Sequence, residues 1–304
     1  MSSNATKVVV DVEGRQVALT NLEKVLYPAV GFTKGQVLDY YTRIAPVLLP
    51  HLAGRPLTRK RYPDGVDGPV FFEKNAPRGT PDWVHTEVLP SPGSTKNRET
   101  IEYVIVDDLA TLVWTANLAS LELHTPMWRV QKKRGRPAEP GPPDLVVFDL
   151  DPGEPATIVE CCEVAVLLRE VLQEDGLEPL PKTSGSKGMQ LYARADHFSS
   201  SEETSAYAKG LAQRFEKSHP DLVVHRMTKA LRPGKVLVDW SQNSAAKTTV
   251  SVYSLRARER PTVSTPLTWD EVETCEKPQD LVFTSDDVLT RVADHGDLFA
   301  PLLS

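Results

Sequence analysis

The chain has 304 residues, 40% hydrophobic and 25% charged, with a formal net charge of −6. This is ordinary globular composition with ample material for a core, in one large domain or two modest ones. No apolar run reaches the roughly 18 residues of a membrane span, and Met1–Lys7 is too polar for a secretory signal, so a cytoplasmic location is expected. Three cysteines (Cys161, Cys162 and Cys275) without a CxxC pair exclude a disulfide framework and a structural zinc signature. The negative charge disfavours a generic nucleic-acid binder. However, Arg55, Arg59, Lys60 and Arg61 cluster, as do Arg129, Lys132, Lys133, Arg134 and Arg136. Each run reads either as a local phosphate-binding face or as solvated loop.

In chain order, residues 8–19 read as an edge hairpin or a strand. Thr33-Lys-Gly-Gln36 is a capping box opening an amphipathic helix that is expected to stop near Pro50. Residues 55–74 read as short strands around Pro63-Asp-Gly65. Residues 89–99 read as an exposed loop between paired strands at 84–88 and 101–106. Residues 107–123 have apolar positions at helical spacing, which predicts a helix ending before Pro126. Residues 131–144 read as a basic, Pro- and Gly-rich loop. Leu145–Asp151 is a nearly all-apolar strand, expected to be buried on both faces. A second capping box, Thr157–Glu160, opens a helix to about Asp175, with Cys161 and Cys162 as buried helix residues. Met189–Ala193 is a strand, 202–218 a helix and Lys235–Trp240 a strand. Weaker strand signals follow at 248–255, and short helices near 268–276 and 285–294.

The chemistry concentrates at the strand ends. Side chains two apart on a strand share a face, so Asp149 and Asp151 project together before Pro152-Gly153 turns the chain away. Two such acids repel unless a cation lies between them, and oxygen donors suit Mg²⁺ or Mn²⁺. A pair of surface turn acids is the plainer alternative. Asp239 ends another apolar strand, Val236-Leu-Val238, and an acid there needs a partner or a metal. Thr183–Gly188 is glycine-rich with Lys187 inside it, which suits an anion nest or simply a tight turn. His124 reads as a helix-end cap or a catalytic group. Of Phe71 and Phe72, one faces the core and the other is free to stack on a base. Lys247 and Arg256 follow the Asp239 strand within reach of phosphates. Lys34, in the first turn of a capped helix, opposes the helix dipole unless an anion joins it.

Seven ordered motifs carry a resemblance: Lys24-Val-Leu-Tyr-Pro28, Arg59-Lys-Arg61, Phe71-Phe-Glu-Lys74, Leu123-His124, Val147–Gly153, Thr183–Gly188 and Val238-Asp-Trp-Ser-Gln-Asn243. Over essentially its whole length the chain resembles the archaeo-eukaryotic primase superfamily. Within it, the chain is most similar to bacterial primase-polymerases related to the polymerase domain of the end-joining ligase LigD. The resemblance implies a two-lobed α/β (α+β) catalytic core, with mixed and antiparallel sheets flanked by helices, as a single domain over 1–304. It implies Asp149, Asp151 and Asp239 as ligands of two Mn²⁺ or Mg²⁺ ions. Ser184, Lys187 and Arg256, with Lys60, match contacts to the triphosphate of an NTP or dNTP. His124 and Gln242 match groups around its sugar and phosphates, and Phe71 and Phe72 the platform beside its base. Lys24 and Lys34 match a pocket for a DNA 5′-phosphate, and Arg232 lies in a loop that positions the primer terminus.

The 131–144 loop is more basic than end-joining domains lead one to expect, and no ligase or nuclease module is legible. The expected function is therefore primase-polymerase chemistry in short-gap repair, with ribonucleotide preference. The expected protein is a monomer that works beside a separate ATP-dependent ligase and is associated with the nucleoid rather than a membrane. The alternatives are an end-joining polymerase and a non-catalytic gap- or end-binding module that recruits a ligase.

Overall fold

The computed structural model describes residues 7–90 and 99–303; most of the expected 89–99 loop lies outside these residues. Strands β1 (Lys7–Val12) and β2 (Arg15–Thr20) form the expected hairpin, and β3 (Val25–Tyr27) and β4 (Phe32–Thr33) form a second. Helix α1 (Lys34–Leu52) begins with Thr33 Oγ1 accepting from Gln36 N, while Gln36 Oε1 accepts from Thr33 N. It continues beyond Pro50, where a stop was expected. Burial of Tyr40, Tyr41, Ile44, Leu48 and Leu52 along one face holds the last turn against the lost proline hydrogen bonds.

Strands β5 (Pro56–Arg61), β6 (Phe71–Glu73), β7 (Thr86–Pro90) and β8 (Thr100–Ile105) follow. The helix expected over 107–123 is a correction. Helix α2 (Leu109–Asn117), capped by Asp108, ends early, Ala119 takes a positive φ, and β9 (Ser120–Thr125) begins. Leu121, Glu122, Leu123 and His124 alternate with period two, and the short apolar run fits a helix equally well. The 131–144 loop is also shorter than expected, because β10 (Trp128–Gln131) and β11 (Glu139–Pro143) pair across it.

The second half contains β12 (Leu145–Pro152), α3 (Ile158–Glu174), β13 (Leu180–Thr183), β14 (Met189–Arg194), α4 (Ser201–Ser218), β15 (Val223–Val224), β16 (Val236–Asp239), β17 (Thr249–Val250), α5 (Trp269–Glu273) and α6 (Ser285–His295). Two sheets organise the molecule. A five-stranded sheet runs β13-β14-β12-β16-β15, antiparallel except for β15 beside β16. A six-stranded sheet runs β17-β9-β5-β8-β7, with β6 also on β5. Each carries its own apolar core. One lies under α1 and α2, and the other, which includes the buried Cys161 and Cys162, lies under α3 and α4. This is the mixed α/β architecture expected from the sequence. Among the described residues, no helix is long and apolar enough to cross a membrane.

The first basic run is neither an open phosphate face nor a solvated loop. Arg55 is buried against the Asp144 carboxylate, and Arg59 is fully buried on Asn75 O at 2.6 Å. Lys60 pairs with Glu122 and Arg61 with Glu73, each at 2.9 Å. Charge packed this way holds strands together, and little of it remains for a backbone phosphate.

Candidate functional site

Strand β12 is the centre of the site. It is flanked on both sides, so its residues are apolar until the chain reaches the sheet end. Asn243 fixes its entry, with Oδ1 accepting from Val147 N and Nδ2 donating to Val147 O, both at 2.8 Å. Antiparallel pairing sets Asp149 directly opposite Asp239 on β16, and Asp151 lies two residues along. All three carboxylates therefore project from one face of the sheet. Burial, then Asp151 and Asp239, push Asp149 up to about 7. Asp151 is more open, and burial and Asp239 raise it against the opposing charges of Arg232 and Arg256.

Asp149 and Asp151 floor a cavity of about 400 Å³. Asp149 and Asp151 line it together with His124, Ser184, Lys187, Arg232, Gln242 and Arg256, so eight of the residues singled out in the sequence come together. The others lie outside its lining. Lys60 sits behind His124 on Glu122, and Lys24 and Lys34 lie at the start of α1. Phe71 and Phe72 are both exposed on β6, so the expectation that one faces the core is corrected; the Phe72 ring meets His124 edge-on. Asp239 points beside the cavity. Its Oδ1 accepts from Ser241 N and Oγ, and its Oδ2 from Gln242 Nε2.

The donor chemistry fits a divalent cation: three oxygen-bearing side chains crowd one face, and two of them are driven toward protonation without a counter-charge. As they stand they do not converge. Among the described residues no three His, Cys, Asp or Glu side chains surround a common point.

Residues 184–188 turn the β13–β14 hairpin. Gly185 has a φ of +67°, and a Cβ there would lie 2.7 Å from Arg256 Cγ. Ser184 Oγ accepts from Ser186 N and Gly188 N, and Arg256 Nη1 donates to Ser184 O. Lys187 is exposed and pairs with Glu154 at 2.6 Å. The tight turn thus presents Ser184 and Lys187 to the cavity, and Arg256, from a segment packed against the turn, joins them there.

Three residues that the sequence reading did not single out organise these groups. Glu122 is almost fully buried and receives His124 Nε2 and Lys60 Nζ at 2.9 Å and Arg256 Nε at 3.4 Å. Burial pushes its carboxyl up, but the His124 hydrogen bond and the charges of Arg256, His124 and Lys60 outweigh this and hold it well below the usual range. His124 is lowered, chiefly by burial. Gln190 Nε2 donates to Asp149 Oδ1 at 2.9 Å. Gln190 Oε1 accepts from the buried Lys182, whose Nζ also reaches Ser264 Oγ and Val250 O. An acid between two leucines is a sequence signal for a buried ionic partner, and the helix reading obscured it. Lys182 gives no such signal, because its partners Val250 and Ser264 lie 68 and 82 residues away.

At the other end of the cavity's surroundings, Lys34 Nζ is buried on Thr20 O at 2.6 Å. Burial and the nearby charges of Lys24 and Arg61 lower it to about 8. Three cations therefore share one neighbourhood, in which Asp64 pairs with Lys24 at 2.9 Å and Glu73 with Arg61.

Comparison with known proteins places this geometry. Residues 33–299 match the family model of the LigD primase-polymerase domain. The chain belongs to that family. It is 46% identical over 289 residues to the multifunctional non-homologous end joining DNA repair protein LigD of Mycobacterium tuberculosis H37Rv, covering 95% of this chain and 37% of the relative. It is likewise 46% identical to LigD of Mycolicibacterium smegmatis, covering 94% of this chain and 36% of the relative. The chain thus spans under two-fifths of the length of these curated relatives. Among solved structures it superposes on the polymerase domain of Mycobacterium tuberculosis ligase D in complex with DNA. The TM-score is 0.89 and the identity 46%, covering 94% of this chain and 98% of that one. Within the LigD primase-polymerase family, the cavity above Asp149 and Asp151 is this chain's candidate active site.

Proposed function

We propose that the chain is a template-directed nucleotidyltransferase that extends a primer 3′ end, with the aspartate cavity as its site of phosphoryl transfer. The observation that carries this is the juxtaposition of Asp149, Asp151 and Asp239 on one sheet face with Ser184 and Lys187 on the hairpin turn and Arg256 packed against that turn. Acids that need a cation lie beside cations that need an anion, which is the charge layout of a nucleoside triphosphate site.

Ser184, Lys187 and Arg256 hold the triphosphate. His124 and Gln242 border the sugar, and Phe71 and Phe72 offer flat faces to the base. Arg232 steadies the primer terminus. One or two Mn²⁺ or Mg²⁺ ions held by the three aspartates would lower the pKa of the attacking hydroxyl and offset charge on the transferring phosphate. Lys24 and Lys34 receive the 5′-phosphate across a gap or end.

The curated relatives are named for non-homologous end joining, which favours broken ends over excision gaps as the setting. Filling a short gap at an aligned end, with ribonucleotides preferred and a ligase following, is the form of this reading that we adopt. The test is extension on a gapped duplex with Mn²⁺. Asp149→Ala with Asp151→Ala is expected to lower nucleotide addition at least 10³-fold, about 4 kcal/mol of transition-state stabilisation, while duplex binding is retained. Extension by that double variant at the unaltered rate would overturn the reading. Gap binding without extension by the unaltered chain would instead support a ligase-recruiting module.

A further inference from the structure

A second cavity of about 250 Å³ adjoins the first, and Thr248 lines both. Its lining is mostly apolar and rich in rings: Tyr103 from β8, the buried Trp128 from β10, Pro126 before it and Pro140 from β11. Trp128 Nε1 donates to Ala245 O at 3.0 Å, which fixes the ring and uses its polar edge within the protein. Among the described residues of the lining, Lys74 is the one charged side chain. Its Nζ lies 3.3 Å from Ala246 O, at the side of the groove that leads toward Thr248. The site residues derived above use none of these groups.

We propose that this groove is a subsite for one unstacked nucleobase of the unpaired template strand, with Lys74 meeting the adjoining phosphate. The proposal rests on the polymerase reading, because it takes the aspartate cavity as the place where template and nucleotide meet. Three observations favour a nucleic-acid strand over a proline-rich peptide, which a ring-rich apolar lining would also suit. The groove is continuous with the nucleotide cavity. Its described lining presents a cation and no acid, which complements a phosphodiester. Its volume of about 250 Å³ takes a single planar base and its lining includes the Tyr103 ring, and base–aromatic stacking is tolerant of sequence. A template strand leaving the nucleotide cavity past Thr248 enters this groove directly.

The experiment uses the full chain and a duplex with an unpaired template extension, in which one nucleotide at a time is replaced by an abasic unit. Binding is read by fluorescence anisotropy. At one position, loss of the base is expected to weaken binding by about fivefold or more, the lower range of a single base–aromatic stack. Tyr103→Leu, which keeps an apolar side chain but no ring, is expected to bind intact DNA as weakly as the unaltered chain binds that abasic substrate. It is also expected to be indifferent to the replacement. Lys74→Gln is expected to weaken intact and abasic substrates equally and to reduce the salt dependence by about one ion. This variant carries the test if Tyr103→Leu does not fold. The proposal is overturned if no abasic position matters to the unaltered chain, if Tyr103→Leu keeps the full dependence, or if Lys74→Gln leaves binding and its salt slope unchanged. Extension measured on the same substrates separates the two readings. Extension without an abasic effect discards the groove alone. An abasic effect without extension discards the polymerase reading and keeps the groove as a nucleic-acid site.

Discussion

Glu122 shows how one side chain can set the geometry of several others. Lys60 and His124 hydrogen-bond to it and Arg256 forms an ion pair with it, so it fixes the spacing of groups assigned to the nucleotide. Glu122→Gln keeps the shape and removes the charge that holds those groups. Lys60 and Arg256, both partly buried, then lose their counter-ion, at a cost of about 2 kcal/mol in unfolding free energy. The expected kinetic signature is an increase in nucleotide KM of about tenfold, corresponding to about 1.4 kcal/mol, with a smaller change in kcat. Equal loss in kcat and kcat/KM would place Glu122's effect on the chemical step instead. Asp149 presents the opposite case, a charge that the fold disfavours. In divalent-free buffer at pH 7.5, Asp149→Asn removes its repulsion with Asp151 and Asp239. The substitution should stabilise the protein by about 1 kcal/mol, seen as a rise in Tm. Added Mn²⁺ should raise the Tm of the unaltered chain and leave that of the variant nearly still. A lower Tm for the variant without metal would contradict the electrostatic account.

Among the elements, the β13–β14 hairpin turn and strand β12 are locked together by absence of bulk. A Cβ on Gly188 would lie 2.1 Å from Leu150 O, the carbonyl between the two aspartates. Gly188→Ala must therefore push β12 and the phosphate-facing turn apart. The expected cost is about 1–3 kcal/mol of stability. A shift near 1 Å at the reacting groups is expected to lower extension by about 100-fold, measured on folded variant by primer extension. Gly210, on an open helix face, is the control and should tolerate Ala. How legible each element was in the sequence follows from the range of its determinants. The capping boxes at Thr33 and Thr157 and the all-apolar run before Asp149 are local signals, and the structure contains all three. The boundary at 117–120 depends on which partner the apolar residues meet, and pairing of β9 with β5 decided against the helix. That error hid Glu122. The position of Asp239 opposite Asp149 was legible only as two strand-end acids, because register is set by pairing across 90 residues.

For the whole molecule, the proposed function raises the problem of how a chain of formal charge −6 would hold a polyanion. Its basic residues are divided into those spent on internal pairs, such as Arg55 and Arg59, and those left at the cavity and at the start of α1. Lys34 is the informative member of the second group. Burial and the charges of Lys24 and Arg61 hold its pKa near 8, so in the free protein it loses its proton just above neutrality. A bound 5′-phosphate brings negative charge and favours the protonated form, raising that pKa in the complex. Proton uptake then accompanies binding at pH values above about 8, and affinity must fall as pH rises through that range. On the acid side, the phosphate itself gains a proton near about pH 6 and loses charge. The ratio of affinities for phosphorylated and unphosphorylated gaps is therefore expected to plateau between about pH 6.5 and 8 and to decline on either side. Lys34→Arg should move the alkaline decline to higher pH, since guanidinium stays charged, while Lys24→Ala with Lys34→Ala should flatten the profile and bring the ratio toward one. Anisotropy titrations at constant ionic strength measure this directly, and a ratio independent of pH from 6 to 9 would remove Lys34 from the phosphate pocket.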